Sequence, residues 1–136
     1  MKNEAKQLIK IAESLVGRPY KYGAKMENAP NFFDCSLFTQ YVFKQIGVKL
    51  PRTALEQAMV GKKIALNKIK EGDIIFLKGD LGRYNKVYPR GVGHAGIYIG
   101  KNKAIQAESK IGKVAIENLS KLIKRKKPLI VIKRYV

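Results

Sequence analysis

The spacing of apolar residues changes character partway along this chain, and the change limits the folds open to it. In residues 3 to 16, Leu8, Ile11, Ala12 and Leu15 fall at helical spacing, and Gly17 ends the run. The stretch DCSLFTQYVFKQIG repeats the pattern with Leu37, Phe38, Tyr41, Val42 and Ile46. Asp34 or Ser36 stands at its start and Gly47 at its stop. A shorter helix is predicted from Thr53 to Val60, where Thr53 and Glu56 have the spacing of a capping box. From residue 73 onward the helical period disappears. DIIFLK, HAGIYIG, KAIQAE, KVAIEN and LIVIKRY are short and rich in β-branched or aromatic residues, with glycine or asparagine at the likely turns between them. Helices first and strands after imply an α+β domain in which N-terminal helices pack on a mostly antiparallel sheet. A length of 136 residues with 46% apolar content fits one domain over residues 1–136.

Two segments have no regular period. Residues 18–33 are loop-like, with two prolines, Gly23 and several aromatics. Residues 79–93, GDLGRYNKVYPRGVG, form a long connection of the kind that in compact domains usually has a function.

Charge narrows the partners. With 28 basic and 10 acidic residues the formal charge is +18, which attracts polyanions such as nucleic acid, an anionic membrane surface or an anionic wall polymer. Zinc-ligand spacing, an RNP-like aromatic motif and a helix-turn-helix are all missing from the sequence, so specific nucleic-acid recognition is not expected. No run of about 18 apolar residues is present, so no transmembrane helix is expected. The N-terminus lacks the apolar centre of a signal peptide. Localisation therefore stays open between the cell interior and, after loss of a leader, secretion or the cell wall.

The chain has one cysteine and one histidine, too few for an internal disulfide or a Cys/His zinc site. A thiol attacks as thiolate, and a helix N-terminus or a nearby imidazolium favours that form. Cys35 sits at the predicted start of a helix, and His94 opens a predicted strand after GVG. A third group is needed to hold the imidazole. A hairpin turning at residues 101–103 would bring Gln106 beside His94. On these residues alone a reactive, low-pKa thiol is expected.

The ordered blocks GRPYKYGA, FDCSLFTQYVF, LPRTALEQ, KEGDIIFLK, GHAGIYIG and AIQA, spread over residues 14 to 119, resemble NlpC/P60 domains. The resemblance implies a papain-like fold with the nucleophile opening a helix that packs on the sheet. It implies a cysteine peptidase that hydrolyses bacterial peptidoglycan stem peptides, commonly after γ-D-glutamyl, and requires no cofactor or metal. It assigns Cys35 as nucleophile, His94 as base and Gln106 as the third polar residue. Tyr20 would lie beside the nucleophile, and Asp34 and Ser36 would help bind a peptide amine. Arg52 and Gln57 also match family positions and are read as structural.

Two residues depart from the pattern. Leu37 stands where Gly usually follows DCS, and Gln106 stands where His is frequent; an amide can orient an imidazole but carries no charge. In the long loop, Arg83 and Arg90, with Tyr84 and Tyr88 between, are candidates to bind substrate carboxylates along one side of a cleft. The expected partners are the peptide substrate and anionic wall polymers, with the chain itself a monomer. A catalytically weak wall-binding module and a thiol acyltransferase or amidase of the same fold class are the alternatives.

Overall fold

The computed structural model describes residues 2–80 and 82–136. Helix α1 spans Lys2–Ser14, α2 Cys35–Gln45 and α3 Ala54–Ala58. Strands β1 (Lys62–Ile64), β2 (Ile74–Leu77), β3 (His94–Gly100), β4 (Lys103–Glu108) and β5 (Lys113–Asn118) follow, then helix α4 (Leu119–Arg125) and strand β6 (Leu129–Arg134). The strands form one sheet in the order β1-β6-β2-β3-β4-β5, with every neighbouring pair antiparallel. The architecture is the α+β arrangement expected from the change of period. Two elements were not expected: the three-residue β1 and the seven-residue α4, which Asn118 caps by accepting a hydrogen bond from the Lys121 N–H.

Period-two alternation builds a core on each face of the sheet. Ile74 and Phe76 of β2, Ile97 of β3, Ile105 and Ala107 of β4 and Val131 of β6 pack with Leu8, Leu37, Phe38 and Phe43 of the N-terminal helices. The intervening residues Ile75, Leu77, Ala104 and Ile132 pack with Leu119 and Leu122 of α4. Strand β2 is therefore buried along its whole length, as a strand covered on both faces must be. An ion pair fastens the middle of the sheet. Arg134 at the end of β6 donates two hydrogen bonds to Asp73, just before β2, at 2.8 and 2.9 Å.

Helix α2 lies between α1 and strands β3 and β4. Its residues 36–39 are all buried, because a helix enclosed on several sides has no solvated stripe there. Asp34 is its N-cap and accepts from the Leu37 N–H at 2.8 Å. Leu37, in place of the usual glycine, is fully buried in the helical core.

The chain before α2 is pinned on both sides. The Tyr20 N–H donates to the Gly112 carbonyl at 2.9 Å, and the Phe33 N–H donates to the Pro19 carbonyl at 3.1 Å. These bonds hold residues 19–21 alongside the start of α2, so both ends of the loop-like 18–33 segment are anchored.

The entry to β3 is equally constrained. A Cβ on Gly93 would sit 2.6 Å from the Lys78 carbonyl oxygen and 2.7 Å from the Gly82 nitrogen, both backbone atoms. Only glycine permits that approach, and it sets where His94 begins its strand. Gly93→Ala is expected to destabilise the protein by about 1–3 kcal/mol, the usual cost of overpacking, and to lower its melting temperature. A thermal melt of the variant checks this; an unchanged melting temperature would show that the backbone yields without cost.

Candidate active site

Where α2, the entry to β3 and the end of β4 converge, a cleft of about 640 Å³ opens to solvent. Its walls include Tyr20, Asp34, Cys35, Ser36, Arg52, Asp80, Arg83, Gly93, His94, Glu108 and Ser109. The only cysteine and the only histidine thus share one cavity. Cys35 is the first residue of α2, and its thiol donates to the Gly93 carbonyl at 3.7 Å, one residue before His94. His94 is 4% exposed, and its Nε2 meets the side-chain oxygen of Gln106, which is fully buried.

The hairpin brings Gln106 to the imidazole by a route slightly different from that expected. Ile97 pairs with Ile105 and Tyr98 with Ala104, with an irregularity between Tyr98 and Gly100. Continued along the strands, this register puts Gln106 across from Gly96, so His94 and Gln106 are diagonal neighbours. A Cβ on Gly96 would lie 3.6 Å from the Gln106 Cβ. With glycine there, the two longer side chains have room to meet.

The electrostatics differ from the sequence expectation. Burial, reinforced by the Asp34 carboxylate, pushes the Cys35 thiol up to about 11; backbone N–H groups of Ala95 and Ser36 and the Arg52 guanidinium act in the opposite direction but do not prevail. Burial lowers the His94 pKa below the usual imidazole value, against the hydrogen bond to Gln106. Both shifts favour the uncharged forms, thiol and neutral imidazole, whereas the helix start alone pointed to a low-pKa thiolate. Burial, with help from Cys35 and Asp34, also raises Tyr20 to about 12, so it stays a phenol able to donate a hydrogen bond into the cleft.

Asp34, Ser36 and Arg52 form one unit. Arg52 donates to Asp34 at 2.7 Å, to the Ser36 hydroxyl at 2.8 Å and to the Ala24 carbonyl at 2.5 Å. Arg52 therefore belongs to the cleft wall as well as to the scaffold. Gln57, fully buried, donates to the Ser36 and Pro51 carbonyls at 3.0 and 2.9 Å and accepts from Thr39 at 2.7 Å, bracing the first turn of α2.

The long loop contributes less than expected. Asp80 and Arg83 line the cleft, but Arg90 is exposed and is not part of its wall. Tyr84 is 75% exposed, and Tyr88 turns away to donate to the Ala58 carbonyl at 3.2 Å.

Behind Gln106 lies a polar network that sequence reasoning missed. Gln106 donates to Glu117 at 2.6 Å, Arg125 bridges Glu117 and Glu108, and Lys126 joins Glu108 to Asp80. Burial alone would raise Glu108, but the hydrogen bonds from Arg125 and the charge of Lys126 hold it down to about 2. The available signal is two carboxylates on adjacent predicted strands of a chain poor in acid, followed by the basic segment 119–128.

Comparison with known proteins places this architecture. The fold is the papain-like α+β fold: it superposes on NlpC2 from Trichomonas vaginalis with a TM-score of 0.82 and 25% identity, covering 97% of this chain and 46% of that one. It also superposes on the NlpC/p60 domain of peptidoglycan hydrolase SagA with a TM-score of 0.77 and 26% identity, over 96% of this chain and 98% of that one. Residues 17–133 match the NlpC/P60 family, and the chain belongs to that family. A γ-DL-glutamyl hydrolase of Bacillus subtilis is 40% identical over 114 residues, 83% of this chain. A Listeria innocua protein named "Probable endopeptidase p60" is 37% identical over 101 residues, 74% of this chain. The matched stretch spans 25% of the first relative and 19% of the second.

The upward push on the thiol has a direct consequence. Alkylation of Cys35 by iodoacetamide is expected to be slow near pH 7 and to climb steeply in the alkaline range. Asp34→Asn keeps a competent N-cap but removes a negative charge that opposes the thiolate, so it should lower the thiol pKa and speed alkylation at fixed pH. Rates followed by mass spectrometry check both points; rapid labelling of the unmodified protein at pH 7 would contradict them.

Proposed function

We propose that this chain is a single catalytic domain of a cysteine peptidase that cuts peptidoglycan stem peptides after γ-D-glutamyl, using Cys35, His94 and Gln106. The observation that carries the reading is the meeting of the sole cysteine, at the capped start of α2, with the sole histidine, at the start of β3, in one cleft with Gln106 on the imidazole. The names of the relatives, a γ-DL-glutamyl hydrolase and a peptidoglycan hydrolase, support the substrate class.

In this mechanism a neutral pair must become reactive only when substrate is present. The Cys35 sulfur attacks the carbonyl carbon while its proton passes to His94. The imidazolium then gives that proton to the departing amine as the peptide C–N bond breaks, leaving a thioester on Cys35. Water, deprotonated by His94, attacks the thioester, and the released thiolate recovers the proton. The Tyr20 phenol stands in the same cleft as a donor for charge that develops on the carbonyl oxygen.

Substrate recognition draws on two charged groups that line the cleft. Asp34, backed by Ser36 and Arg52, retains acceptor capacity for a peptide amine. Arg83, which lines the same cleft, supplies a guanidinium able to bind a stem-peptide carboxylate. The charge of +18 draws the domain to anionic wall polymers through a salt-sensitive attraction.

Purified peptidoglycan incubated with the protein should release fragments whose masses report cleavage after γ-D-glutamyl. Cys35→Ala and His94→Ala should each lose activity by several orders of magnitude while remaining folded. Release of the same fragments by Cys35→Ala would overturn the assignment. Arg83→Ala should raise KM for an acidic stem peptide with kcat little changed, and should matter much less for the amidated peptide. Equal effects on both peptides would remove Arg83 from the recognition account.

A further inference from the structure

The polar network behind Gln106 has an order of donors and acceptors that reaches the imidazole. Arg125 at the end of α4 can only donate. It donates to both oxygens of Glu117, at 2.9 and 2.5 Å, and to both oxygens of Glu108, at 2.6 and 2.5 Å. The Glu108 side chain is 1% exposed, and Lys126, itself 7% exposed, approaches it to 3.2 Å, so the anchor is buried as well as paired. Glu117, gripped in this way, acts as an acceptor, and its Oε1 takes a hydrogen bond from the Gln106 side-chain nitrogen at 2.6 Å.

An amide side chain has nearly the same shape in its two orientations, so its partners decide which end points where. With its NH2 committed to Glu117, Gln106 must present its oxygen to His94. An oxygen can only accept, so the imidazole must carry its proton on Nε2. Nδ1 is then the unprotonated nitrogen, free to take the Cys35 proton.

We propose that Glu117, fixed by Arg125, is a positioning residue that sets the His94 tautomer through Gln106. The proposal rests on the catalytic reading above and adds to it residues that touch neither thiol nor substrate. Removal of Glu117 does more than delete a contact. It leaves the Arg125 guanidinium as the next neighbour of the amide, and a donor there draws the Gln106 oxygen toward itself. The NH2 would then face His94, the ring would accept at Nε2, and the proton would move to Nδ1, where it blocks the base.

The single histidine makes the tautomer directly readable in untagged protein by long-range 1H–15N correlation of the ring, without substrate. The native protein should show the proton on Nε2. Glu117→Ala should shift a substantial population to Nδ1–H and lower kcat on the order of 100-fold, the scale typical of supporting partners, with KM little changed. Glu117→Gln keeps a carbonyl oxygen for Gln106 and should preserve both the native tautomer and most of kcat. A ring protonated on Nδ1 in the native protein would overturn the proposal. So would Glu117→Ala with native tautomer and native kcat, or equal loss of kcat in Glu117→Gln with the tautomer unmoved. If instead His94→Ala or Cys35→Ala stayed active on peptidoglycan, the catalytic reading itself would fail, whatever the tautomer.

Discussion

The arrangement depends on one contact, the first turn of α2 against the entry to β3. Cys35 reaches the Gly93 carbonyl because residues 78, 82 and 93 come closer than any side chain would allow. From the other side, the helix is held down by Leu37, Phe38 and Phe43, all fully buried against the sheet and α1. Packing of this density tolerates little displacement, so the distance between thiol and imidazole is a property of the core as much as of the site. Tyr20 and Asp34 occupy the same cleft because the 19–21 backbone is bonded to Gly112 on one side and Phe33 on the other.

Charge is organised on two scales. Globally the chain is strongly basic, with only 10 acidic residues. Locally, among the described residues, carboxylates pair with arginine in three places: Asp34 with Arg52, Asp73 with Arg134, and Glu108 and Glu117 with Arg125. Removal of one partner from such pairs leaves a buried charge uncompensated. Here they fasten the helix start, the sheet centre and the support of Gln106. Most of the described lysines lie at the surface, where their summed field is felt by solvent and by any approaching polyanion.

Much of this was legible in the sequence, for identifiable reasons. Strands β3, β4 and β5 have the predicted boundaries, because alternation and flanking turn residues mark each one. The Asp34 cap and the Thr53–Glu56 capping box are local signals and formed as expected. The place of β6 between β1 and β2 was not legible, since it joins residues 62–64 to residues 132–134 and no local pattern encodes that pairing. Strand β1 offers one buried isoleucine after two exposed lysines, and α4 has only Leu119 and Leu122 buried, so neither shows a period. The support of Gln106 was hidden with α4, because its arginine comes from that helix. A helix start is visible in sequence while the surroundings of the thiol are not: the Ala95 and Ser36 N–H groups pull its pKa down, and burial together with the Asp34 charge pushes it up further.

The central claim is that a neutral, buried His94 is the base that activates Cys35. Its most direct test is the pH dependence of kcat/KM, set against the titration of the sole imidazole followed by NMR in the same protein. The base works only when unprotonated, and burial lowers its pKa, so the acid limb of kcat/KM should have its midpoint below the ordinary value of 6.5. The imidazole should titrate at that same midpoint. An acid limb at or above 6.5, or one that departs from the imidazole titration, would contradict the account.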